Sequence, residues 1–425
     1  MKEYYSLSEV ADLLGKSKET LRRWDNNGKL TAVREPMSNY RVYRKEQLQA
    51  FDELDFLFNS TELGNKVAPD YKYSVLELFA GAGGLAKGLE DAGLKCVALN
   101  EIDHWAAETL RQNRPNWNVI EDDIRKLSFA DLEGKVDVVT GGFPCQAFSY
   151  AGKKLGLEDA RGTLFYEFAR VVDETKPLIC VGENVRGLLN HDNGRTLEGM
   201  KSILDDIGYM PVDPKILKAI FYNVPQKRER LILVGIRKDI AVDFNFPKPY
   251  KKIYTLKDAL KAGELFPTDV PESEGSNYPK RKREILEKIP PGGYWRDLPL
   301  DLQKEYMQKS FYLGGGKTGM ARRISWEEPS LTLTCSPAQK QTERCHPDET
   351  RPFTVREYAR IQTFPDSWLF AGSVSNQYKQ IGNAVPVNLG KEIGYSLVRF
   401  LNEAYKVYGL EERIVDPNQV SMSFS

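Results

Sequence analysis

An apolar run, Val75–Leu78, passes into Phe79-Ala80-Gly81-Ala82-Gly83-Gly84-Leu85 and then into a helical stretch, Ala86–Asp91. Three glycines between a strand and a helix let backbone N–H groups approach a ligand closely and present a helix N-terminus, at the binding edge of an open α/β sheet. The spacing is not the full dinucleotide fingerprint and no phosphate-loop Gly-Lys-Ser/Thr follows, so by itself the loop is compatible with a tight turn or a ligand cradle. The next apolar run, Cys96–Leu99, ends at Asn100-Glu101, where a carboxylate can accept hydrogen bonds from two ribose hydroxyls. Asp122-Asp123-Ile124 supplies another acidic strand end. Further apolar runs at Val136–Val139, Leu178–Val181 and Leu231–Gly235 are spaced widely enough for crossover helices, which predicts a parallel-rich α/β sheet. Ile216–Tyr222 and Arg230–Ile236 lie only a turn apart and predict an antiparallel hairpin at the sheet edge.

The length, 425 residues, suits two or three domains. Equal numbers of basic and acidic residues, 60 of each, exclude a polycation, and 41% hydrophobic residues exclude global disorder. No run approaches the ~18–20 apolar residues of a membrane span. Five widely spaced cysteines and no apolar signal core predict a reducing, cytoplasmic setting. After Phe246 prolines and the Gly314–Gly316 run break the α/β rhythm, predicting binding loops on a second domain. Apolar residues at Leu389, Ile393, Leu397, Leu401 and Tyr405 predict an amphipathic helix that packs back on the α/β core.

The first 48 residues read as a separate unit. Ser6 or Ser8 caps a helix stopped by Gly15, a second helix runs from Ser17 to Trp24, and two short strands, Lys29–Arg34 and Tyr40–Tyr43, follow. This order resembles the winged helix-turn-helix of the mercury-resistance-regulator and excisionase type, which implies DNA contacts from Arg22, Arg23 and Arg41. An amphipathic helix pair that docks on the next domain is the other reading. An acidic connector, Asp52–Phe58, and a polar linker close the unit at about residue 62.

Gly141-Gly142-Phe143-Pro144-Cys145-Gln146-Ala147-Phe148-Ser149 follows the Val136–Val139 run. Glycines free the backbone, Pro144 fixes φ, and Cys145 stands among polar residues where a thiolate can be exposed, unlike Cys96 and Cys180 inside apolar runs. With the glycine loop, Pro144-Cys145-Gln146, Glu183-Asn184-Val185, Gln226-Lys227-Arg228-Glu229-Arg230 and Gly382-Asn383-Ala384-Val385-Pro386 in this order, the chain resembles the DNA (cytosine-5) methyltransferases of bacterial restriction–modification systems. The resemblance runs from about Tyr73 to Tyr405. It implies a Rossmann-like, S-adenosylmethionine-dependent α/β domain at 72–246, a target-recognition domain at 247–370, and a return to the catalytic domain at 371–410.

By this resemblance Phe79, Ala80, Gly81, Gly83, Gly84 and Leu85 cradle the methionine part of S-adenosylmethionine, and Glu101 binds its ribose. Asp123 holds the adenine amine beside Ile124, and Ile102, Pro144, Leu164, Asn383, Ala384 and Val385 complete the contacts. Relatives often carry Trp where Ile102 stands, so the adenine here meets an aliphatic face. C5 of cytosine is a poor nucleophile until a thiolate adds at C6. The resemblance makes Cys145 that thiolate and Glu183 the carboxylic acid hydrogen-bonded to N3. Arg228 and Arg230, two apart, fall on one face of a strand and are expected at the base O2 and a phosphate. The base must leave the helix to react, and Gln146 and Ser149 lie on the loop expected to close over it.

Between Phe246 and Cys345 there are 18 basic and 13 acidic residues, a small excess suited to DNA. Thr332 and Leu333 resemble the pair that begins specificity contacts in relatives, and Gln339, Gln341 and Arg344 are expected to read base edges. A zinc site from Cys335, Cys345 and His346 lacks a fourth ligand, so no metal is expected. The expected partner is duplex DNA, with a cognate endonuclease linked functionally and the enzyme acting as a monomer. An RNA cytosine-5 methyltransferase is the rival of the same chemistry, and a transcription regulator with a vestigial methyltransferase domain the rival of another class.

Overall fold

The computed structural model describes residues 3–35, 39–59, 64–144, 163–314, 317, 319–413 and 423–424. They fall into two compact units, residues 1–64 with 248–251, and residues 65–247 with 252–425.

In the first unit β1 (Tyr4–Ser6) leads into α1 (Leu7–Leu14), followed by α2 (Lys18–Asn26), β2 (Val33–Arg34) and β3 (Arg41–Arg44). Ser6, not Ser8, caps α1: its hydroxyl accepts from Glu9 N–H while the Glu9 carboxylate accepts from Ser6 N–H, and Gly15 ends the helix at φ 62°. Ser17 caps α2 in the same way through Thr20 N–H at 3.0 Å. β3 lies between β1 and β2 in an antiparallel three-stranded sheet, so the wing gains a strand that its three-residue length hides in the sequence. Val10, Leu13, Leu14, Leu21, Leu30, Tyr43 and Leu48 are buried and form its core.

The second unit is built on a seven-stranded sheet: β4 (Ser74–Leu78), β5 (Lys95–Glu101), β6 (Val119–Glu121), β7 (Val138–Gly141), β8 (Ile179–Val185), β9 (Tyr209–Lys218) and β10 (Glu229–Arg237). Their spatial order is β9-β10-β8-β7-β4-β5-β6. β4 to β8 are mutually parallel, and β10 runs antiparallel between β8 and β9. The edge hairpin is present, but its first strand begins at Tyr209, and Ala219–Phe221 turns off as a short 3-10 helix. Just before β7, Asp137 ties the sheet to the C-terminal helix: its carboxylate accepts from Ser74 N–H, Ser74 Oγ and the Tyr405 hydroxyl.

Crossover helices α3 (Gly84–Asp91), α4 (His104–Asn113), α5 (Leu164–Thr175) and α6 (Arg195–Asp206) cover the sheet. Beyond β10 come α7 (Leu256–Leu260), α8 (Lys280–Leu286), α9 (Leu300–Met307), α10 (Val355–Ile361), α11 (Val374–Asn383) and α12 (Val387–Tyr408), the predicted C-terminal helix. α12 meets α3 through glycines. A Cβ on Gly88 would lie 2.5 Å from Lys391 N and Val387 O, and one on Gly394 2.6 Å from Ala92 Cβ. This close crossing places the loop that opens α3 against the residues that open α12. Apart from the sheet core, one apolar cluster joins Leu256, Leu260, Phe353, Tyr358, Phe364, Trp368 and Ile381, and another joins Tyr278, Leu286, Trp295, Tyr306, Met307 and Cys345. Among the described residues no helix is long and apolar enough to cross a membrane.

Candidate active site

The glycine loop leaves β4 with Phe79 at φ 56°, Gly81 at 57° and Gly83 at 81°. A non-glycine residue at positive φ costs energy that its surroundings must offset, a pattern common where backbone approaches a ligand. Gly83 also has no room for a side chain, since a Cβ there would lie 2.6 Å from Leu110 Cδ2. Gly84 opens α3, and its Cβ would lie 2.1 Å from Val385 O. The loop and the Asn383–Val385 segment, both expected at the cofactor, are thus in direct contact, with Ala384 and Val385 buried and Leu85 beneath them.

Glu101 closes the other side. One of its oxygens accepts from Gly81 N–H and the other from Asp103 N–H, each at 2.7 Å. Burial pushes its carboxyl above the ordinary range while these two donors pull it back. The Ile102 N–H lowers it as well, and the carboxylate's roughly four lone-pair sites leave room for a further donor such as a hydroxyl. Ile102 beside it is 65% exposed. Asp123 caps a short turn at Ile124, and Arg125 grips its carboxylate through Nε and Nη2, holding it below the usual range. An amine donor must therefore share Asp123 with Arg125. Ile124 is buried, and Leu164 starts α5, packed partly against the core.

Sequence reasoning did not single out Glu77. It is buried on β4, burial raises its carboxyl to about 8, and Oε2 has no hydrogen-bond partner. An orphaned buried carboxyl oxygen beside a glycine loop and a helix N-terminus suits a ligand with cationic groups, which S-adenosylmethionine carries.

Cys145, Gln146 and Ser149 lie outside the described residues. The root of their loop is anchored on the sheet core. Phe143 is buried against Phe165 and Phe168, with ring centroids 5.1 and 5.6 Å away, and Asn184 Nδ2 donates to Phe143 O at 2.9 Å. A Cβ on Gly142 would lie 3.0 Å from Glu183 Oε2, so the chain passes directly over that carboxylate before reaching the exposed Pro144. Glu183 Oε1 is in ionic contact with Arg230 Nε on β10. The Nε–H itself makes no hydrogen bond, so the charges touch without the proton lying on the axis between them.

Arg228 stands just before β10, close enough to Arg230 and Glu183 to feel both charges. It lies in a tight turn in which its N–H donates to Gln226 O. Its side chain is 2% exposed and donates to Leu333 O, Gly382 O and Asn383 O. Burial pulls its pKa down to about 9. Arg228 thus ties the Leu333 segment to the Gly382–Asn383 segment. Gln226 and Gln362, which sequence reasoning also passed over, run beside it. Gln226 Oε1 accepts from Leu333 N–H, its Nε2 donates to Gln362 Oε1, and Gln362 Nε2 donates to Ile381 O and Ala384 O.

Of the residues expected to read DNA, Gln339 and Gln341 are exposed. Leu333 is buried and its N–H and C=O are engaged as above, so its side chain is core. Thr332 gives its hydroxyl proton to Lys227 O at 2.6 Å. Arg344 is buried, donating to Thr332 O and Glu343 O, and desolvation lowers its pKa to about 10. It holds the recognition segment rather than presenting a charge to solvent. In the first unit Arg22 and Arg23 are exposed on α2, with Arg22 paired to Glu19. Arg41 is instead bound to Asp25 at 2.7 Å. Burial opposes the Asp25 charge, but hydrogen bonds from Arg41 and Ala32 outweigh it and keep the carboxyl low, so this pair fastens the wing to α2.

The model of the family described as C-5 cytosine-specific DNA methylase matches residues 73–399. The chain belongs to that family. A helix-turn-helix domain model matches residues 4–51. A type II methyltransferase of Escherichia coli, M.Eco47II, is 65% identical over 96% of this chain and 98% of its own. M.PspPI, a type II methyltransferase of Psychrobacter sp. (strain TA137), is 59% identical over 95% of this chain and 98% of its own. Among solved structures, a DNMT2 variant of Spodoptera frugiperda shares the fold at a TM-score of 0.55 and 17% identity, covering 77% of this chain and 99% of that one. The chain is thus a type II DNA cytosine-5 methyltransferase, S-adenosylmethionine-dependent, with an N-terminal helix-turn-helix, and the vestigial-domain and RNA readings are set aside.

Proposed function

We propose that this methyltransferase acts on a cytosine flipped out of a short, specific duplex sequence, through a covalent adduct of Cys145 with C6. The observation that carries the reading is the seating of the Gly142–Pro144 loop over Glu183. Asn184 fixes that loop by its bond to Phe143 O, and Arg230 holds the carboxylate from the next strand. A thiolate delivered by this loop forms the S–C6 bond while the C5–C6 π electrons move toward N3, where Glu183, having taken a proton from solvent on parting from Arg230, donates it. Arg230, released from ionic contact, turns its donors to O2. When bound, S-adenosylmethionine supplies an electrophilic methyl group, held by Phe79, Ala80, Gly81, Gly83, Gly84, Leu85, Glu101, Ile102, Asp123, Ile124, Pro144, Leu164, Asn383, Ala384 and Val385. Loss of the C5 proton and of the Cys145 thiolate restores the aromatic ring. Gln146 and Ser149 close over the flipped base, and Gln339 and Gln341 read its neighbours.

The methylation protects DNA from a cognate restriction endonuclease, and the enzyme works as a monomer. The helix-turn-helix, through Arg22 and Arg23, binds an operator and represses the enzyme's own gene, so that methylation precedes cleavage. Plasmid DNA incubated with the protein and S-adenosylmethionine should acquire 5-methylcytosine in one sequence context on base-resolution mapping. A duplex with 5-fluorocytosine at that position should trap the wild type covalently and leave Cys145→Ala free; absence of a wild-type adduct removes the nucleophile assignment. Deletion of residues 1–62 should raise expression from the native promoter and leave methylation intact, and lost methylation at unchanged expression refutes the repressor role.

A further inference from the structure

Between α9 and the recognition segment the chain makes an excursion whose apolar tip is exposed among the described residues. Tyr312 is 77% and Leu313 65% exposed, next to one another. Ordinary surfaces scatter large apolar side chains singly, whereas this pair is mounted on a rigid base. The Phe311 ring lies 5.2 Å from Tyr312 and 6.1 Å from Trp295, which is buried in the same cluster as Met307 and Cys345. Gln308 starts the turn at φ 52°, ψ −133°, a conformation natural only to glycine, and Lys317 and Ala321 on the returning limb are also at positive φ. Such strain persists only where the surrounding structure enforces it.

The excursion is fastened to the residues exposed for base reading. Tyr306 gives its hydroxyl proton to Glu343, and Lys282 pairs with the same carboxylate. Glu343 N–H donates to Gly319 O at 3.1 Å, and a Cβ on Gly319 would lie 2.6 Å from Gln341 O. Tyr312 and Leu313 therefore belong to the same small body as Gln339 and Gln341. Residues 308–323 contain no acidic residue; Arg323 is buried on His346 O, Pro347 O and Leu286 O and Lys317 donates to Ser310 O and Leu313 O, which leaves Lys309 and the half-buried Arg322 as cations for a polyanion.

We propose that Tyr312 and Leu313 form an apolar wedge that packs into the base stack of duplex DNA beside the bases met by Gln339 and Gln341. The inference rests on the reading of this segment as the recognition region. An aromatic ring stacked on a base is sequence-tolerant, so the wedge supplies affinity and local deformation while the amides supply discrimination. Because both side chains are exposed, their removal leaves the folded protein as stable as before.

The test uses the full chain with S-adenosylhomocysteine and a duplex carrying the mapped target, with anisotropy as the readout. Tyr312→Ala and Leu313→Ala should each raise Kd by roughly five- to a hundred-fold, with S-adenosylhomocysteine affinity and Tm unchanged. Tyr312→Phe should stay within about two-fold, since the ring and not the hydroxyl acts. 2-Aminopurine placed next to the target should brighten on binding wild type and fail to do so with Tyr312→Ala. Wild-type affinity in both alanine variants overturns the wedge. If Gln339→Ala and Gln341→Ala weaken target discrimination while the alanine variants at Tyr312 and Leu313 do nothing, the wedge alone falls; if all four are silent, the recognition reading falls with it. A wild-type dimer in sedimentation that Tyr312→Ala dissociates also overturns the proposal, because the patch then meets a second copy.

Discussion

Glu183 on β8 and Arg230 on β10 are in ionic contact across an antiparallel strand pair, with the Arg230 Nε–H off the axis that would make it a hydrogen bond. The pair keeps both groups near one point beside the Gly142 loop. Glu183→Gln preserves size and removes the transferable proton. Methylation in a single turnover should fall by about 10²- to 10⁴-fold while duplex and cofactor affinity change only a few-fold. A variant that methylates at the wild-type rate would remove Glu183 from the proton-transfer role.

Gly84 tests the seam between the cofactor loop and the C-terminal motif. A methyl group there meets a backbone oxygen at 2.1 Å, which no rotamer change can relieve. Gly84→Ala should destabilise the protein by ~1–3 kcal/mol through overpacking and weaken S-adenosylhomocysteine by more than about ten-fold. Calorimetric titration on the folded variant separates the two effects. Gly187→Ala, whose added Cβ meets nothing within 4 Å, is the control and should bind normally.

Local patterns announced the parts of this architecture that depend on neighbours in sequence. The β4 run, the glycine loop, Glu101 at the end of β5 and the period of α12 were all legible because a few adjacent residues decide them. The backbone acceptors of Arg228 were not legible, because a turn at Gln226 interrupts the alternation three residues before β10 begins and the acceptors lie more than 100 residues away. The burial of Arg344 and Leu333 was hidden for a related reason: a polar or apolar residue in a loop-rich segment carries no sign of whether the loop buries it. Gln362 sits inside α10's C-terminal turn with nothing in its surroundings to mark that its amide spans two segments. Glu77 looked like one charge in an apolar run, and only the sheet shows that both faces of β4 are covered.

The Gln226–Gln362 pair should couple the recognition segment to the cofactor segment. Either amide truncated to alanine leaves buried groups unsatisfied, at about 1–3 kcal/mol each. Gln362→Ala should therefore raise KM for DNA and Kd for S-adenosylhomocysteine together. Because the two amides bond each other, the double variant should cost less than the sum of the singles, with an interaction of at least ~0.5 kcal/mol in denaturant melts. Strict additivity would show that the two ends of the relay act independently.

Glu77 gives the fold a pH dependence whose sign follows from burial. Its carboxyl is raised from 4.5 to about 8 in the folded chain, with desolvation the first cause and the Ala86 N–H opposing it. Between these values the unfolded chain has released the proton and the folded chain still holds it. Stability from this group is complete below the unfolded value, declines as pH rises through the window, and is flat once the folded carboxyl has ionised. Glu77→Gln is neutral throughout and removes that decline. Thermal melts without cofactor should show wild type and Glu77→Gln close together at about pH 5 and the variant several degrees more stable at about pH 8.5. Parallel curves across this range would mean that Glu77 is ionised in the folded protein and is held there by a partner. The same variant should bind S-adenosylhomocysteine more weakly if the orphaned oxygen of Glu77 faces the ligand's cationic group, which calorimetry at pH 8.5 reads directly.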